Sequence, residues 1–378
     1  MIRFPHKTCF IIGLNNFQSL SIVRNLNKYN IYTVGFDSIH RPITKFSNSL
    51  NKFIQYKDEN ELLELLIYHG QSLQKKVPIF CTRDHHCIFI DENKYILNQY
   101  YLYNWQKTKK IKEFINKKEM NELAINSGLS TPKTFHSTDY DIHIIKDKIV
   151  YPSIVKPIYT KPNIKGIIIN SDNELEMALK KQIFDEGYII QEIIEGPETN
   201  IFVIGTYSDI NGKILAYGMG QTLRQNPSNF GTKTYLRSFD DKEILKITQQ
   251  FLKCTQYHGI ADIEFKYSSK DNSFKFIEIN PRVGSINNFF CSQSIELPVI
   301  CYDELTNKNI YYLKSNYKKI IWMDIHSDIK LFYTKNWLDR FRWLKELAQT
   351  NSFASFNIRD MKPFLYVFVQ KITRKLFS

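Results

Sequence analysis

The densest chemistry in the chain lies in Phe276-Ile277-Glu278-Ile279-Asn280-Pro281-Arg282. In an extended strand, residues i and i+2 face the same side. Glu278 and Asn280 then present a carboxylate and a carboxamide oxygen to one place, while Ile277 and Ile279 turn to the core. Upstream, Asp262-Ile263-Glu264-Phe265 repeats the alternation, and the polar stretch Ser268–Asn272 between the two runs reads as the turn of a hairpin. Glu264 would then sit across from Glu278. Two carboxylates and a carboxamide form a hard-oxygen set suited to Mg²⁺ held together with nucleotide phosphates. On these residues alone, a solvated acidic strand face is the plainer alternative.

Other residues point the same way. Lys156, in Ile154-Val155-Lys156-Pro157, is a lysine inside an apolar strand, and a buried ammonium needs an anionic partner such as a phosphate. Ile189-Ile190-Gln191-Glu192-Ile193-Ile194-Glu195-Gly196-Pro197-Glu198 is a strand that ends in a Gly-Pro turn with an acid behind it. Such a hinge can offer backbone groups to a base and a carboxylate to a ribose. The run Cys81-Thr82-Arg83-Asp84-His85-His86-Cys87 looks metallic, but five residues between its cysteines exceed the usual zinc spacing of ~2–4, so it reads as a loop with accidental ligands. His6, His69, His136, His143, His258 and His326 show no pattern and read as surface or packing residues.

The elements that must position these groups can be read from hydrophobic periodicity. Thr8–Gly13 reads as a buried strand. Leu14, Phe17, Leu20, Val23 and Leu26 then recur at helical spacing, and Ile31–Asp37 is a second strand. This βαβ pattern predicts a parallel sheet. Gly13 alone stands where G-x-G-x-x-G would be needed, which argues against a nicotinamide cofactor. Residues 59–70 read as a helix and Val77–Thr82 as a strand, closing an α/β unit near residue 105. Residues 106–127 read as one polar amphipathic helix stopped by Gly128 and Pro132. From 150 onward strands prevail, with helices at 172–182 and 240–257, a pattern that predicts an antiparallel α+β unit. A helix-rich tail follows residue 300.

Composition bounds the remainder. The 378 residues suffice for two or three domains, and 43% hydrophobic and 24% charged residues exclude wholesale disorder. No apolar run approaches the ~18 residues of a membrane span, and the first residues do not resemble a signal peptide. The six cysteines lack the density of a disulfide scaffold and read as reduced core residues. Together these features predict a soluble, cytoplasmic protein. The net charge of +13 comes from lysines spread along the chain without a basic, aromatic-interleaved stripe, which argues against nucleic acid and leaves an anionic ligand such as a nucleotide attractive.

Taken in order, Lys117, Gly128–Pro132, Val155-Lys156-Pro157, Gln191-Glu192 with Gly196-Pro197-Glu198, Asp262–Phe265 and Glu278–Arg282 resemble the ATP-grasp superfamily. The version is that of carboxylate–amine ligases of the D-aspartate-ligase and carbamoyl-phosphate-synthase-like type. The resemblance spans residues 1 to about 300. It implies α/β and α+β architecture: an N-terminal Rossmann-like pre-ATP-grasp domain (1–110), grasp lobe A (111–190), lobe B with the metal site (191–305) and a helical C-terminal extension (306–378). It further implies ATP and Mg²⁺ (or Mn²⁺) as cofactors, small-molecule carboxylate and amine substrates, and amide formation through an acyl phosphate. Relatives act on amino acids, sugar acids or peptidoglycan-type precursors, so an amino acid joined to an envelope or polysaccharide precursor is the expectation by analogy.

Carried over residue by residue, the resemblance assigns Lys117 and Lys156 to phosphate, Gln191 to the hinge, the backbone of Glu192 and Ile194 to adenine, and Glu198 to ribose. Glu264, Glu278 and Asn280 become metal ligands; Arg282 faces the acyl phosphate, and Arg224 falls near the γ-phosphate. Thr82-Arg83-Asp84 at a strand end matches a Thr-x-Asp of the family, at a strand terminus that borders the ligand crevice. The departure is Tyr159–Gly166, which has one glycine where relatives carry a glycine- and serine-rich lid; Lys161 and Lys165 offer charge there in place of backbone donors. Two other classes remain as alternatives: an ATP-binding regulatory protein with a degenerate grasp, and a basic nucleic-acid binder. In the tail, Trp337, Leu338, Phe341, Leu344, Leu347 and Ala348 repeat at helical spacing among basic residues. After Asp360 there is no acid, while Lys362, Lys371, Arg374 and Lys375 surround Phe364–Val369, Ile372, Leu376 and Phe377. For this basic amphipathic end, a helix docked on the protein's own core is the favoured reading, with peripheral contact to an anionic membrane as the alternative.

Overall fold

The computed structural model describes residues 4–105, 108, 111–139, 142–159, 166–306, 318–334 and 336–376. Lys161 and Lys165 lie outside them, as do the side chains beyond Gln370. The N-terminal region alternates β1 (Thr8–Ile12), α1 (Phe17–Asn27), β2 (Tyr32–Asp37), β3 (Lys52–Gln55), α2 (Glu59–Gly70), β4 (Val77–Cys81), α3 (Asp84–Glu92), α4 (Lys94–Leu97) and β5 (Tyr101–Tyr103). Its five strands form a wholly parallel sheet of order β3-β2-β1-β4-β5. All five β1 residues are buried, as expected of a central strand covered on both faces. Gly13 ends β1 at φ +86°, and a Cβ there would come within 2.5 Å of Thr82 Oγ1. The bare backbone lets Asn16, the N-cap of α1, reach across and donate to Thr82 Oγ1 at 2.8 Å, fixing the carboxyl ends of β1 and β4 side by side.

Two expectations change here. The segment Cys81–Cys87 is no loop: α3 starts at Asp84, and Cys81, His86 and Cys87 are buried in the core. The single helix expected over 106–127 is α5 (Ile111–Ile115) and α6 (Lys117–Asn126), divided by Asn116. The Asn116 side chain accepts from the amides of Lys118 (2.9 Å) and Glu119 (3.2 Å), which makes it a cap. Lys117 thereby opens a helix, and its amide donates to the Ile158 carbonyl at 3.1 Å.

A four-stranded antiparallel sheet, of order β6-β9-β7-β8, comprises β6 (Thr134–His136), β7 (Ser153–Pro157), β8 (Ile167–Ile169) and β9 (Tyr188–Glu192). Helices α7 (Ile142–Lys148) and α8 (Asp172–Leu179) pack on it through Ile145, Leu175 and Ala178. A seven-stranded sheet follows, built from β10 (Ile201–Ser208), β11 (Ile214–Asn226), β12 (Thr232–Ser238), β13 (Gly259–Ser268), β14 (Ser273–Asn280), β15 (Ile321–Met323) and β16 (Ser352–Phe353). Its order is β14-β13-β10-β11-β12-β15-β16, antiparallel except for the last pair. Helix α9 (Lys242–Thr255) inserts Phe251 against Phe276, 5.1 Å between ring centres. Helices α10 (Asn287–Ser292) and α11 (Leu297–Leu305) pack against α1 and bury Phe289, Phe290 and Leu297 in one cluster with Leu20 and Ile260.

The tail is helical, with α12 (Ile325–Thr334), α13 (Trp337–Gln349) and α14 (Lys362–Leu376), and also adds two short strands to the large sheet. It is tied back to α1 by Arg24, which donates to the Asp360 carboxylate at 2.8 Å. Among the described residues no helix is long and apolar enough to cross a membrane.

Candidate active site

The β13–β14 hairpin sets Glu264 opposite Glu278 and Asp262 opposite Asn280, so the oxygen ligands read from the sequence do converge. One detail differs. The register slips after Glu264, with Phe265 facing Phe276, so Ile277 is an extra residue on its strand. This bulge turns Ile277 into the cavity rather than the core. The cavity is about 320 Å³, and Lys117, Lys156, Lys233, Glu264, Glu278 and Arg282 all line it.

Each cation arrives on a different element. Lys117 begins α6; Lys156 comes from β7 and donates to Gln191 Oε1 at 3.0 Å. Gln191 in turn donates to Thr134 Oγ1 at 3.2 Å, which fixes the orientation of its amide. Lys233, on β12, pairs with Glu264. Arg282 follows β14 and donates to Asp84 Oδ1 (2.7 Å) and Asn280 Oδ1 (3.2 Å). Asp84 also lines the cavity, so the Thr82–Asp84 strand end borders the site as read, with Thr82 buried behind it, donating to Gly13 O at 2.8 Å.

Burial and mutual charge set the protonation. Desolvation lowers Lys117 to about 8, against the attraction of Glu278, and lowers Lys156 for the same reason. Burial also opposes the charge on Lys233, but Glu264 and Glu278 outweigh it and hold that ammonium above its ordinary value. Burial raises the Glu278 carboxyl; Lys233, Lys156 and Lys117 together prevail and keep it below the usual carboxylate range. Asp262 is the opposite case. Burial pushes it up to about 7 despite Arg282 and Lys233, and one carboxylate oxygen has no hydrogen-bond partner. Its other oxygen leaves no room at Gly284, where a Cβ would lie 1.6 Å away.

A smaller adjoining cavity, about 70 Å³, is lined by Gln191, Glu192, Ile194 and Glu198, so the expected hinge residues also meet. Glu192 gives its amide to the Lys133 carbonyl at 2.8 Å. Glu198 accepts from the amides of Gln225 and Asn229, both at 2.9 Å, which fix its carboxylate beside the cavity.

Arg224 is the expected site residue that the structure takes elsewhere. Its guanidinium donates to both oxygens of Asp328 (2.9 and 2.8 Å) and to Glu346 (2.7 Å), and stacks over Tyr235. The β11–β12 register shifts on either side of Arg224, so i/i+2 counting fails there; Gln225 and Lys233, which oppose each other, line the cavity instead. Lys233 and Asp262 are the residues that sequence reasoning missed. Asp262 sits two positions before Glu264, where strand alternation would have placed it on the same face.

The donor set fits a divalent cation. Glu264, Glu278 and Asn280 project hard oxygens from one face of a hairpin, and the surrounding lysines keep Glu278 ionised. Four cations, counting Lys117, Lys156, Lys233 and Arg282, face four carboxylates, so a polyanion that enters with its own counter-cation finds both signs already in place.

Comparison with known proteins agrees with this geometry. Residues 115–285 match the ATP-grasp domain. The chain is 23% identical to D-aspartate ligase of Enterococcus faecium over 304 residues, 74% of this chain and 72% of the relative. Among solved structures, N5-carboxyaminoimidazole synthetase from Staphylococcus aureus complexed with ADP superposes with a TM-score of 0.69 at 16% identity, covering 88% of this chain and 86% of that one. L-amino acid ligase from Bacillus licheniformis gives 0.61 at 16% identity, covering 82% and 78%. At such identities the structural likeness establishes the fold.

Proposed function

We propose that this chain, whose residues 115–285 form an ATP-grasp domain, is an ATP-dependent ligase that joins a small carboxylate to an amine through an acyl phosphate. An amino acid is one substrate, and a cell-envelope or polysaccharide precursor is the other. The observation that carries the reading is the convergence of three lysines with Glu264, Glu278 and Asn280 on one cavity. The substrate classes rest on the relatives' own names, D-aspartate ligase and L-amino acid ligase. A cytoplasmic location follows from the need for ATP and is supported by six unpaired cysteines.

Phosphoryl transfer requires alignment and charge neutralisation more than covalent help from the protein. In this reading the adenine contacts the Glu192 carbonyl and the Ile194 amide, and Glu198 accepts from the ribose. Lys117 and Lys156 hold the phosphates, with Gln191 aiming Lys156. Lys233 takes the γ-phosphate position expected of Arg224. Glu264, Glu278 and Asn280 hold Mg²⁺ or Mn²⁺, which supplies charge neutralisation at the phosphate oxygens.

A carboxylate oxygen of the acid attacks the γ-phosphorus, the bond to the β,γ-bridging oxygen breaks, and ADP leaves. Arg282, anchored by Asp84, faces the acyl phosphate and stabilises charge on its oxygens. The amine nitrogen then adds to the acyl carbon, the carbon–oxygen bond to phosphate breaks, and the nitrogen gives up one proton as inorganic phosphate departs. The test is ADP release over a panel of amino acids and sugar acids with amine acceptors, with Glu278→Gln as the blank. Turnover with one acid–amine pair that is absent in Glu278→Gln is the expected result. ATP binding with equal silence in both proteins across the panel would overturn it in favour of a regulatory nucleotide binder.

A further inference from the structure

Helix α13 carries two apolar faces, and only one is covered. Its inward face buries Trp343 beside Phe332 and Leu347, and Glu346 on that side holds Arg224. Trp337, Phe341, Leu344 and Ala348 form the opposite face, and all four are exposed, Trp337 to 74%. The helix therefore docks on the protein's own core, but through the side built on Trp343 and Leu347, while Trp337, Leu338, Phe341, Leu344 and Ala348 of the expected stripe stay exposed. The concentration is not random. Of 22 large hydrophobic residues exposed among the described residues, ten fall between Tyr333 and Val369.

Charge identifies what covers the stripe. At about 100° per residue, Arg340 flanks it on one edge, where its guanidinium also donates to the Phe332 and Tyr333 carbonyls, and Lys345 flanks it on the other; Arg342 lies further round, beside Asp339. All three are exposed. The acids of the helix lie on the inner half: Glu346 pairs with Arg224, and Asp339 approaches Arg342 at 3.6 Å. Aromatic and aliphatic side chains bordered by cations, on a helix too short to span, are the makings of an interfacial helix. A second copy of the chain fits poorly. A two-fold contact would set these cations against their own mates without an acid on the face, and four side chains fall short of the ~800 Å² per partner of a stable interface.

We propose that the outer face of α13 is a docking surface for an anionic lipid bilayer, with Trp337, Phe341 and Leu344 entering the headgroup–acyl boundary and Arg340 and Lys345 pairing with lipid phosphates. This contact is independent of the ligase reading, because vesicle binding requires no turnover. It would hold the cavity near substrates carried on lipid.

Trp337 also supplies the probe. Trp105, Trp322 and Trp343 are buried, so Trp337 is the one exposed tryptophan of the four. The full chain is titrated with vesicles of phosphatidylcholine containing 30% phosphatidylglycerol, and with pure phosphatidylcholine. The expected result is a blue shift and reduced acrylamide quenching with anionic vesicles, weakened at least tenfold by 0.5 M salt and absent with the neutral ones. Trp337→Phe should silence the signal while co-sedimentation persists. Phe341→Ser with Leu344→Ser should weaken co-sedimentation at least tenfold at an unchanged melting temperature. Three results would overturn the proposal: no binding by the wild type, equal binding to neutral vesicles, or a dimer in sedimentation that the serine variant abolishes.

Discussion

Lys117 sits at a titration point that nucleotide binding should reveal. Burial brings its ammonium to about 8, so it is about nine-tenths charged at pH 7 and about one-tenth charged at pH 9. A phosphate contacts the charged form. The sign follows: the proton is present below about pH 8 and lost above it, so affinity for MgATP falls as pH rises. The apparent Kd should grow about tenfold between pH 7 and pH 9. It should then level off at about 10- to 100-fold, the equivalent of the ~1.5–3 kcal/mol of a hydrogen bond to a charged group. The terminal phosphate, with a pKa near ~6, is already ionised over this range and adds no slope. Isothermal titration with a non-hydrolysable ATP analogue, from pH 6.5 to 9.5, reads the profile for wild type and Lys117→Met. The variant should start weak and lose the rise centred near pH 8, although Lys156, lowered by burial as well, continues to contribute. If the two profiles differ only by a constant offset, Lys117 does not titrate against the nucleotide and its phosphate role fails.

Three further outcomes separate the roles assigned above. Arg224→Ala should destabilise the fold by about 3–5 kcal/mol, since it strands the fully buried Asp328; the KM for ATP of the folded fraction should stay within about twofold. A melt that is unmoved together with a KM raised tenfold would return Arg224 to the phosphate. Lys233→Met should lower kcat about 10²-fold, the usual cost of removing one donor from a developing charge, and stopped-flow phosphate release would detect it; activity within threefold of wild type excludes Lys233 from the reaction. Gly284→Ala, whose methyl would overlap the Asp262 carboxylate, should reduce turnover at least tenfold while ADP still binds. Full turnover in that variant would mean that the Asp262 end of the cavity is not used.

Sequence periodicity captured the strands that carry the site, and i/i+2 spacing captured Glu278 with Asn280, because both are local properties of an extended chain. The failures have equally local causes. A bulge turned Ile277 from the core into the cavity, and register shifts on both sides of Arg224 exchanged it for Lys233; neither irregularity leaves a mark in hydropathy. The break at Asn116 did leave one. Asn116 followed by Glu119 is a cap signature that went unread inside a longer amphipathic pattern. The Arg282–Asp84 pair joins residues 198 positions apart, a relation that no window along the chain contains. In α13 the apolar residues were correctly periodic, but a helix with two apolar faces does not announce which one is covered.

The placement of Arg282 bears on specificity. Its partner Asp84 opens α3 at the carboxyl end of β4, while Lys156, Lys233 and the proposed metal ligands belong to the two later sheets and Lys117 to α6. The Arg282 end of the cavity is thus bordered by the N-terminal α/β unit through Gln18 of α1 and Asp84 of α3, and by Gly284 and Ser285. Ligands of open parallel sheets bind outside the strand carboxyl ends, so in the proposed ligase the first turns of α1 and α3, which carry Gln18 and Asp84, are placed to contact the acid and the amine. The phosphate-binding half needs only charge and alignment and can be the same for any substrate pair. The half that discriminates must leave polar groups unsatisfied until the right partner arrives. Asp262, which comes from β13 but lies beside Arg282 and is buried with an unpartnered oxygen, is such a group at the same end of the cavity. An acid or amine that fails to engage it would leave that penalty standing, which makes the N-terminal turns and this carboxylate the places where exchange of residues should change the substrate without touching the use of ATP.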